Sequence, residues 1–228
     1  MRPAHRLIIA IDGPAGAGKS TAARRVAQRL GCRYLDTGAM YRAVALKALR
    51  EGLDLGDPES LSRAADAATI HLETENGVTR VWLDGAEVTG EIRAPAVSEA
   101  ASRVSAVPGV RQAMVRLQRR WGEEGGVVME GRDIGTVVFP DADVKLFLNA
   151  SPAERARRRS AELSCQGIVV SAETVEKEMA ARDARDTQRP ASPLARAPDA
   201  VLLETDGLSP DEVVEQILEI CRRKGAER

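Results

Sequence analysis

Short apolar runs rich in β-branched residues alternate along the chain with longer segments of helical composition. Five of these runs predict strands, at residues 7–12, 33–35, 126–130, 144–148 and 200–203. The strands alternate with helical segments, so they are expected to lie parallel, with helices on both faces of the sheet. The pattern therefore predicts an α/β fold built on a doubly wound, five-stranded parallel sheet.

Start and stop signals predict where the helices lie. Segments 20–30 and 39–50 stop at glycines, which suit the left-handed conformation after a helix end. Asp57-Pro58 begins a short helix, because aspartate caps well and proline fits the first helical position. Further helices are predicted at 94–106, at 110–121, from the Ser151 capping box to about 165, at 171–189 before Pro190, and from the Ser209 capping box onward.

One stretch departs from the α/β order. Residues 69–90 contain two segments that alternate between apolar and polar positions, followed by a shorter third segment. The turn signals Asn76-Gly77 and Asp84-Gly85 separate the three segments. The stretch therefore predicts a small antiparallel β insert of three strands.

The first predicted strand leads into a glycine-rich loop and then a helix. The loop is Gly13-Pro14-Ala15-Gly16-Ala17-Gly18-Lys19-Ser20, followed by Thr21, and it matches G-x-x-x-x-G-K-[ST]. Such glycines let backbone N–H groups surround a phosphate, and the helix directs its positive dipole end at the same anion. Lys19 can reach the β- and γ-phosphates, and the Ser20 hydroxyl suits Mg²⁺. The alternative is a chance glycine turn, but the strand–loop–helix context favours a nucleoside triphosphate site.

Composition narrows the class of protein without naming a substrate. The 228 residues are 43% apolar and 29% charged, an ordinary mixture for one globular domain. The net charge of −1 gives no field that would attract nucleic acid or a membrane. Three scattered cysteines and two isolated histidines argue against a disulfide framework and a zinc site. These features favour a cytoplasmic protein, and the lack of a large apolar surface run favours a monomer.

Arginine accounts for all but five of the 33 basic residues. Codon bias explains part of this excess, so position must decide which arginines matter. Ligands bind at the carboxyl ends of strands in a doubly wound sheet. Asp36, Thr37 and Arg42 follow the second predicted strand, and Arg132 and Asp133 follow the third. Arginine and carboxylate together at two strand ends predict an anion-binding site there.

Two predicted helices carry arginines in helical phase. One face of the first helix is formed by Arg155, Arg158 and Arg159. Arg157 is predicted to point away from that face. The second helix has arginines at i, i+3 and i+7, which are Arg182, Arg185 and Arg189. Such faces can be solvated and balanced by acidic neighbours, but two of them beside a triphosphate loop favour phosphate binding.

These residues carry a resemblance that covers essentially the whole chain. The sequence resembles the bacterial cytidylate kinase family of nucleoside monophosphate kinases. The matching segments are 13–21, 36–42, 90–93, 131–140, 182–189 and 192–194. An antiparallel insert after the second strand is also a feature of that family. Each segment alone is moderately specific, whereas all of them in this order are highly specific.

The resemblance implies a role for each matching position. ATP would be bound by loop residues 13–21 and by Arg158. The residues implied in catalysis are Lys19, Arg132, Arg155, Arg159 and Arg189. Those implied in CMP binding are Thr37, Arg42, Ser102, Arg111, Arg132, Asp133, Arg182, Asp186 and Arg189. The metal residue would be Ser20.

Some of these implied roles are specific. Arg42, Arg132 and Arg189 would hold the acceptor phosphate, because a dianion favours several forked cations. Asp133 would accept a hydrogen bond from the cytosine amino group, with Ser102 and Arg111 also facing the base. Asp186 would bond the sugar. The arginines Arg155, Arg158 and Arg159 lie on the segment that the family uses as an ATP lid.

The resemblance also implies an organisation within one kinase domain. The core would comprise residues 1–38, 122–150 and 190–228. A nucleoside monophosphate region would span 39–121, with the β insert at about 69–90, and the lid with its adjoining helix would span 151–189. The reaction would transfer the γ-phosphoryl group of ATP to CMP or dCMP with Mg²⁺.

Several alternatives stay open on the residues alone. Glu130 and Asp36 end strands, so each is either a second Mg²⁺ ligand or a turn cap. A kinase for UMP, AMP or a hydroxyl compound such as shikimate is the nearest rival, although a hydroxyl acceptor calls for a carboxylate base and fewer arginines. A GTPase-type switch would need N-K-x-D, which the sequence lacks. A P-loop domain with a purely structural role would not account for Arg42, Arg132 and Arg189.

Overall fold

In the described part of the chain, eight strands and eight α-helices follow one another in the order that the sequence predicts. The computed structural model describes residues 6–75, 78–165 and 167–226, so the predicted turn at Asn76-Gly77 lies outside the described residues. The strands are β1 (Ile8–Asp12), β2 (Arg33–Asp36), β3 (Ile70–Glu75), β4 (Val78–Leu83), β5 (Ala86–Glu87), β6 (Val127–Gly131), β7 (Val144–Asn149) and β8 (Val201–Glu204). The helices are α1 (Lys19–Leu30), α2 (Thr37–Arg50), α3 (Pro58–Ala67), α4 (Pro95–Val104), α5 (Pro108–Gly122), α6 (Pro152–Cys165), α7 (Ala172–Gln188) and α8 (Pro210–Ala226).

Five parallel strands form the central sheet in the order β2-β6-β1-β7-β8. β1 lies at the centre, with Ile8 opposite Val127 of β6 and Ile9 opposite Val144 of β7. β2 and β6 lie on one side of β1, and β7 and β8 lie on the other, which makes the sheet doubly wound as predicted. The carboxyl ends of β1, β2, β6 and β7 meet at one edge of the sheet, so the loops that follow these strands converge there.

Helix caps explain where several helices begin. The Asp36 carboxylate accepts from the Ala39 N–H (2.9 Å), so α2 begins at Thr37, two residues earlier than predicted. The Ser209 box is reciprocal, because Ser209 Oγ accepts from the Glu212 N–H while Glu212 accepts from the Ser209 N–H. The Ser151 box is only half formed, since the Ser151 N–H donates to Asp206 instead.

The β insert forms a separate antiparallel sheet in the order β3-β4-β5. Its last strand ends at Glu87, shorter than the predicted 86–89. The reason lies in Thr89, whose side-chain hydroxyl accepts from the Val81 N–H (3.0 Å) in place of a backbone carbonyl. The sequence also gave no signal for the short 3₁₀ turn at Glu91–Arg93 or the π-helical turn at Ile134–Val138.

The described part of the chain contains four apolar clusters, and three of them divide most of the interior into layers. One lies between the sheet and the helices α1 and α8, with Ile9 and Ile217 fully buried. A second covers the other face of the sheet around Met129. The third lies away from the central sheet, where α2 to α5 pack with the β insert around Met40 and Leu61. The segment from α2 to α5 therefore has an apolar core of its own.

Candidate active site

The loop between β1 and α1 is held tightly against the sheet. A Cβ atom on Gly13 would lie 2.0 Å from the Leu148 carbonyl oxygen of β7, so only glycine fits there. Gly18 is the N-cap of α1 and adopts a positive φ of +87°. The N-terminal end of α1 lines the cleft. The Lys19 ammonium donates to the Pro14 carbonyl (2.7 Å) and closes the loop. A loop of this kind at a helix N-terminus suits a phosphate group.

Lys19 is buried beside other cations. Burial, and secondarily the positive charge of Arg132, lower the pKa of Lys19 to about 7, while the Glu130 carboxylate acts in the opposite direction. In the absence of a ligand the lysine therefore carries only part of its charge at neutral pH. A phosphate anion next to the ammonium would raise this pKa again.

Two carboxylates stand at strand ends close to the loop. Glu130 accepts a hydrogen bond from the Tyr34 hydroxyl (2.6 Å). Burial, and secondarily the charge of Asp36, raise the pKa of Glu130. A hydrogen bond from Ser20 lowers this pKa and so opposes the shift. Asp36 caps α2 and pairs with Arg42 (2.8 Å). Of the two candidate metal ligands, Asp36 is therefore occupied as a cap, and Glu130 is the one that lies beside Ser20.

An arginine cluster faces the loop across the cleft. Arg132 follows β6 and donates from Nε to Asp186 of α7 (2.7 Å). Burial and then the neighbouring Arg132 lower the pKa of Arg182 to about 10. Several buried guanidinium nitrogens lack a hydrogen-bond partner among the described residues, namely Nε of Arg42, Arg111 and Arg182 and Nη2 of Arg189. Buried donors of like charge without acceptors are costly, so acceptor atoms from an anionic ligand would stabilise the cluster.

A buried ion pair lies next to this cluster. Asp133, which follows Arg132, pairs with Arg111 of α5, and both side chains are nearly inaccessible to solvent. The Arg111 guanidinium also lies 5.4 Å from the centre of the Tyr41 ring, a cation–π contact. Arg189 approaches Asp133 from the end of α7 (3.8 Å). One carboxylate with fixed donors around it suits recognition of a base edge.

Two further predicted residues take part in internal hydrogen bonds. The Thr37 hydroxyl donates to the Glu130 carbonyl (2.7 Å), which ties the start of α2 to the end of β6. Ser102 of α4 is buried, and its hydroxyl accepts from Arg185 Nε of α7 (3.0 Å). Sequence reasoning recorded the helical phase of Arg185 but did not include it among the site residues.

Asp12 is a second residue that sequence reasoning missed. Its carboxylate accepts from the Ile134 N–H (2.8 Å) and the Gly135 N–H (2.7 Å), and so fixes the turn that carries Arg132 and Asp133. Burial, opposed by these two hydrogen bonds, raises the pKa of Asp12 to about 6. The available signal was an aspartate that ends an otherwise apolar strand.

The arginines of α6 differ in their hydrogen-bond partners and in their exposure to solvent. Arg155 is buried and donates to the carbonyls of Ala150 (3.1 Å) and Ala15 (3.2 Å) and to the Asp183 carboxylate. Arg158 donates to the Thr205 carbonyl (2.7 Å). The residues of this helix that line the cleft include Arg157, Arg158 and Arg159. The Arg157 side chain is 70% exposed, whereas those of Arg155, Arg158 and Arg159 are 9%, 23% and 31% exposed, so Arg157 is the most solvent-facing of the four, as predicted, although it shares the Glu154 carboxylate with Arg158.

One continuous cleft joins these parts. Its volume is about 1110 Å³, and it runs from the glycine-rich loop past Arg132 and Asp133 to α4, α6 and α7. A P-loop at the end of the central strand and a cationic cluster across the cleft together define a P-loop kinase fold. The cleft has room for two ligands side by side, one on each wall.

Comparisons with known proteins agree with this class. The family model described as cytidylate kinase matches residues 9–223. The chain is 55% identical to a cytidylate kinase of Pelotomaculum thermopropionicum, covering 92% of this chain and 93% of that one. It is 52% identical to a cytidylate kinase of Symbiobacterium thermophilum, covering 95% and 96% of the two chains. The chain belongs to the cytidylate kinase family, so it is a nucleoside monophosphate kinase and a phosphotransferase.

A solved structure supports the fold at lower similarity. An uncharacterized protein from Eubacterium ventriosum superposes with a TM-score of 0.51 at 11% identity, covering 95% of this chain and 98% of that one. The predicted family, enzyme class and fold are thus confirmed. No helix within the described ranges is both long and apolar enough to cross a membrane.

Proposed function

We propose that the cleft transfers the γ-phosphoryl group of ATP to CMP or dCMP, giving ADP and CDP or dCDP. The glycine-rich loop with Lys19 is the donor side, and the arginine cluster is the acceptor side. The observation that carries this proposal is the set of unpartnered guanidinium nitrogens on Arg42, Arg182 and Arg189. They lack the acceptors that a dianionic phosphate supplies, and they line the same cleft as the loop.

The pair Asp133–Arg111 supports cytosine as the base. An ionised carboxylate only accepts hydrogen bonds, and cytosine offers an amino group at its 4-position. Uracil has a carbonyl there, so its lone pairs would face the carboxylate and leave a buried acceptor unpaired. Arg111, which lies over the ring of Tyr41, holds Asp133 in place for this discrimination.

The transfer needs no dedicated general base. The acceptor is a phosphate oxygen that is already ionised near neutral pH, since its second pKa is about 6. Catalysis then consists of positioning the two nucleotides in line and neutralising charge on the moving phosphoryl group. Lys19 supplies charge from the loop, and Arg132 and Arg182 supply it from the acceptor side.

The chain's donor atoms suit Mg²⁺. The Ser20 hydroxyl and the Glu130 carboxylate beside it are hard oxygen ligands, and no group of three or more metal-ligating side chains occurs in the described part of the chain. The ion would be held by Ser20 together with the nucleotide phosphates, and it would neutralise charge on the transferring group.

We also infer that the predicted internal organisation applies. Residues 39–121 correspond closely to the segment with its own apolar core, which supports their acting as a unit. Residues 151–189 carry the arginines of α6 and α7 that line the cleft. Closure of this segment over bound ATP would exclude water and so prevent hydrolysis. The monomeric state and the cytoplasmic location stay predictions.

A panel of acceptors tests the proposed reaction. ADP release from ATP and Mg²⁺ is measured with CMP, dCMP, UMP, AMP and GMP at equal concentrations. We expect CMP and dCMP to give kcat/KM values at least about 100-fold above those of AMP and GMP, with UMP in between. Turnover of AMP or UMP at the level of CMP would make the assignment of Asp133 to the base wrong.

A further inference from the structure

The side chain of Arg185 joins two walls of the cleft. It lies on α7, and it donates from Nε to the Ser102 hydroxyl (3.0 Å) and from Nη2 to the Glu99 carboxylate (3.0 Å), both on α4. Within the described residues, these are the hydrogen bonds that connect α4 with α7. The guanidinium therefore bridges the segment that carries the acceptor side and the helix that follows the lid.

The two arms of this bridge differ in their surroundings. Glu99 is 60% exposed, so its ion pair with Arg185 contributes little by itself. Ser102 is buried, so its hydrogen bond with Arg185 is partly buried and less accessible to water than the ion pair with Glu99. The arm that reaches Ser102 is therefore the one through which Arg185 can influence the site.

In the hydrogen bond with Arg185, the Ser102 hydroxyl is the acceptor, so its own proton is not used. A serine hydroxyl has one proton to donate and two lone pairs to accept with. Arg185 occupies one lone pair of Ser102, and the Ser102 proton has no acceptor among the described residues. The guanidinium thus fixes the hydroxyl with its proton still available for an acceptor on a bound nucleotide.

We infer that Arg185 is a positioning residue for the monophosphate nucleotide. It holds the Ser102 hydroxyl in donor orientation and keeps α4 against α7, and it does not itself contact the reacting phosphates. This inference rests on the proposed function. Arg185 is suited to the task because its planar fork reaches Ser102 and Glu99 at once, which the single ammonium of lysine cannot reproduce.

The test compares Arg185→Ala, Arg185→Lys, Ser102→Ala and the double variant Arg185→Ala/Ser102→Ala. Calorimetry measures the Kd of CMP without ATP, and steady-state assays measure KM and kcat for each substrate. We expect Arg185→Ala to weaken CMP binding about tenfold, the size of one buried hydrogen bond, and to change the KM of ATP less than about twofold. Lys177→Ala is the matched control, since Lys177 forms an exposed pair with Glu173 on the same helix.

The double variant decides whether Arg185 acts through Ser102. If it does, the double variant binds CMP about as weakly as Ser102→Ala alone, and Arg185→Lys recovers only part of the loss. Additive losses, or an equal rise in the KM of ATP, would overturn the inference. Should Arg185→Ala fail to fold by thermal melting, Arg185→Lys with Ser102→Ala completes the same cycle.

The wild-type protein separates this inference from the proposed function. If the wild type binds CMP and Arg185→Ala binds it equally well, only the role of Arg185 fails. If the wild type binds no CMP in calorimetry, the proposed function itself fails.

Discussion

Individual side chains in the cleft are held in states that a ligand would change. Lys19 is buried with a pKa of about 7, and one guanidinium nitrogen each of Arg42, Arg111, Arg182 and Arg189 is buried with no acceptor from the residues that the structure describes. Both conditions raise the free energy of the protein without its ligands. A bound phosphate group would favour the charged form of Lys19 and supply acceptors for the guanidinium nitrogens. Part of the binding free energy would therefore come from removing these two unfavourable features of the unliganded protein.

Binding of the triphosphate is therefore expected to take up a proton through Lys19. At pH 8 a lysine with a pKa of about 7 is mostly neutral, and an adjacent phosphate returns its pKa toward the ordinary value. The uptake should reach about 0.9 proton per ATP at pH 8. Calorimetry in two buffers of different ionisation enthalpy measures it.

Lys19→Met should abolish this uptake, whereas Lys177→Met on the exposed face of α7 should leave it unchanged. The same uptake in wild type and Lys19→Met would mean that another group titrates.

Asp133→Asn tests base recognition at the level of one residue. The amide cannot replace a buried carboxylate that pairs with Arg111 and is proposed to accept from the cytosine amino group, so kcat/KM for CMP should fall at least about 100-fold. The Kd of ATP should change less than about twofold, since the loop lies on the opposite wall. Asp66→Asn is the control, because Asp66 pairs with Arg116 on the surface. Equal losses for CMP and ATP would remove Asp133 from the base site.

At the scale of elements, the unit formed by β1, the loop and α1 depends on backbone contact with β7. Gly13 (φ +147°) has the Leu148 carbonyl where a Cβ atom would be. Gly31, which ends α1, also has a positive φ (+65°), but it faces open space. The two glycines therefore separate the effect of close packing from that of backbone conformation.

Gly13→Ala should lower the free energy of unfolding by more than about 3 kcal/mol, because the backbone of β1 or β7 must move. Gly31→Ala should cost only about 1 kcal/mol, the penalty of the left-handed conformation. Urea unfolding with an unchanged m-value provides the comparison. Similar losses in the two variants would show that Gly13 is not sterically restricted.

At the scale of the whole molecule, one cleft is built from parts that are stabilised separately. The sheet packs against α1 and α8, whereas α2 to α5 form their own core with the insert. Helix α7 touches both sides, since Asp186 binds Arg132 and Arg185 binds Ser102. The position of α7 thus couples the sheet to the acceptor segment.

Hydrogen exchange with one nucleotide at a time should separate these parts. CMP alone is expected to slow exchange in α4, α5 and the second half of α7, because its contacts bridge them. A non-hydrolysable ATP analogue alone should slow exchange at residues 13–21 and in α6. Mass spectrometry of peptides resolves the two patterns. Identical patterns for the two nucleotides would contradict a cleft with separate donor and acceptor walls.

Much of the fold follows from local sequence signals. Short apolar runs, caps such as Asp57 and the glycines of the P-loop act over a few residues, so the five parallel strands and the eight helices were predicted with shifts of at most two residues at the ends that were assigned. The π-helical turn at Ile134–Val138 was not predicted, because its N–H groups are satisfied by Asp12, more than a hundred residues away.

By itself the sequence determined the class of site: a triphosphate loop after a buried strand, with arginine and carboxylate at the neighbouring strand ends. Only the tertiary structure decided which arginines keep their donors open. Arg155 and Arg182 each begin a run of arginines in helical phase, yet Arg155 directs its donors at Ala15, Ala150 and Asp183, while Arg182 keeps a buried nitrogen with no partner in the described ranges. Helical phase fixes the direction in which a side chain leaves its helix. The acceptors that it meets come from distant segments, and those are placed only when the chain has folded.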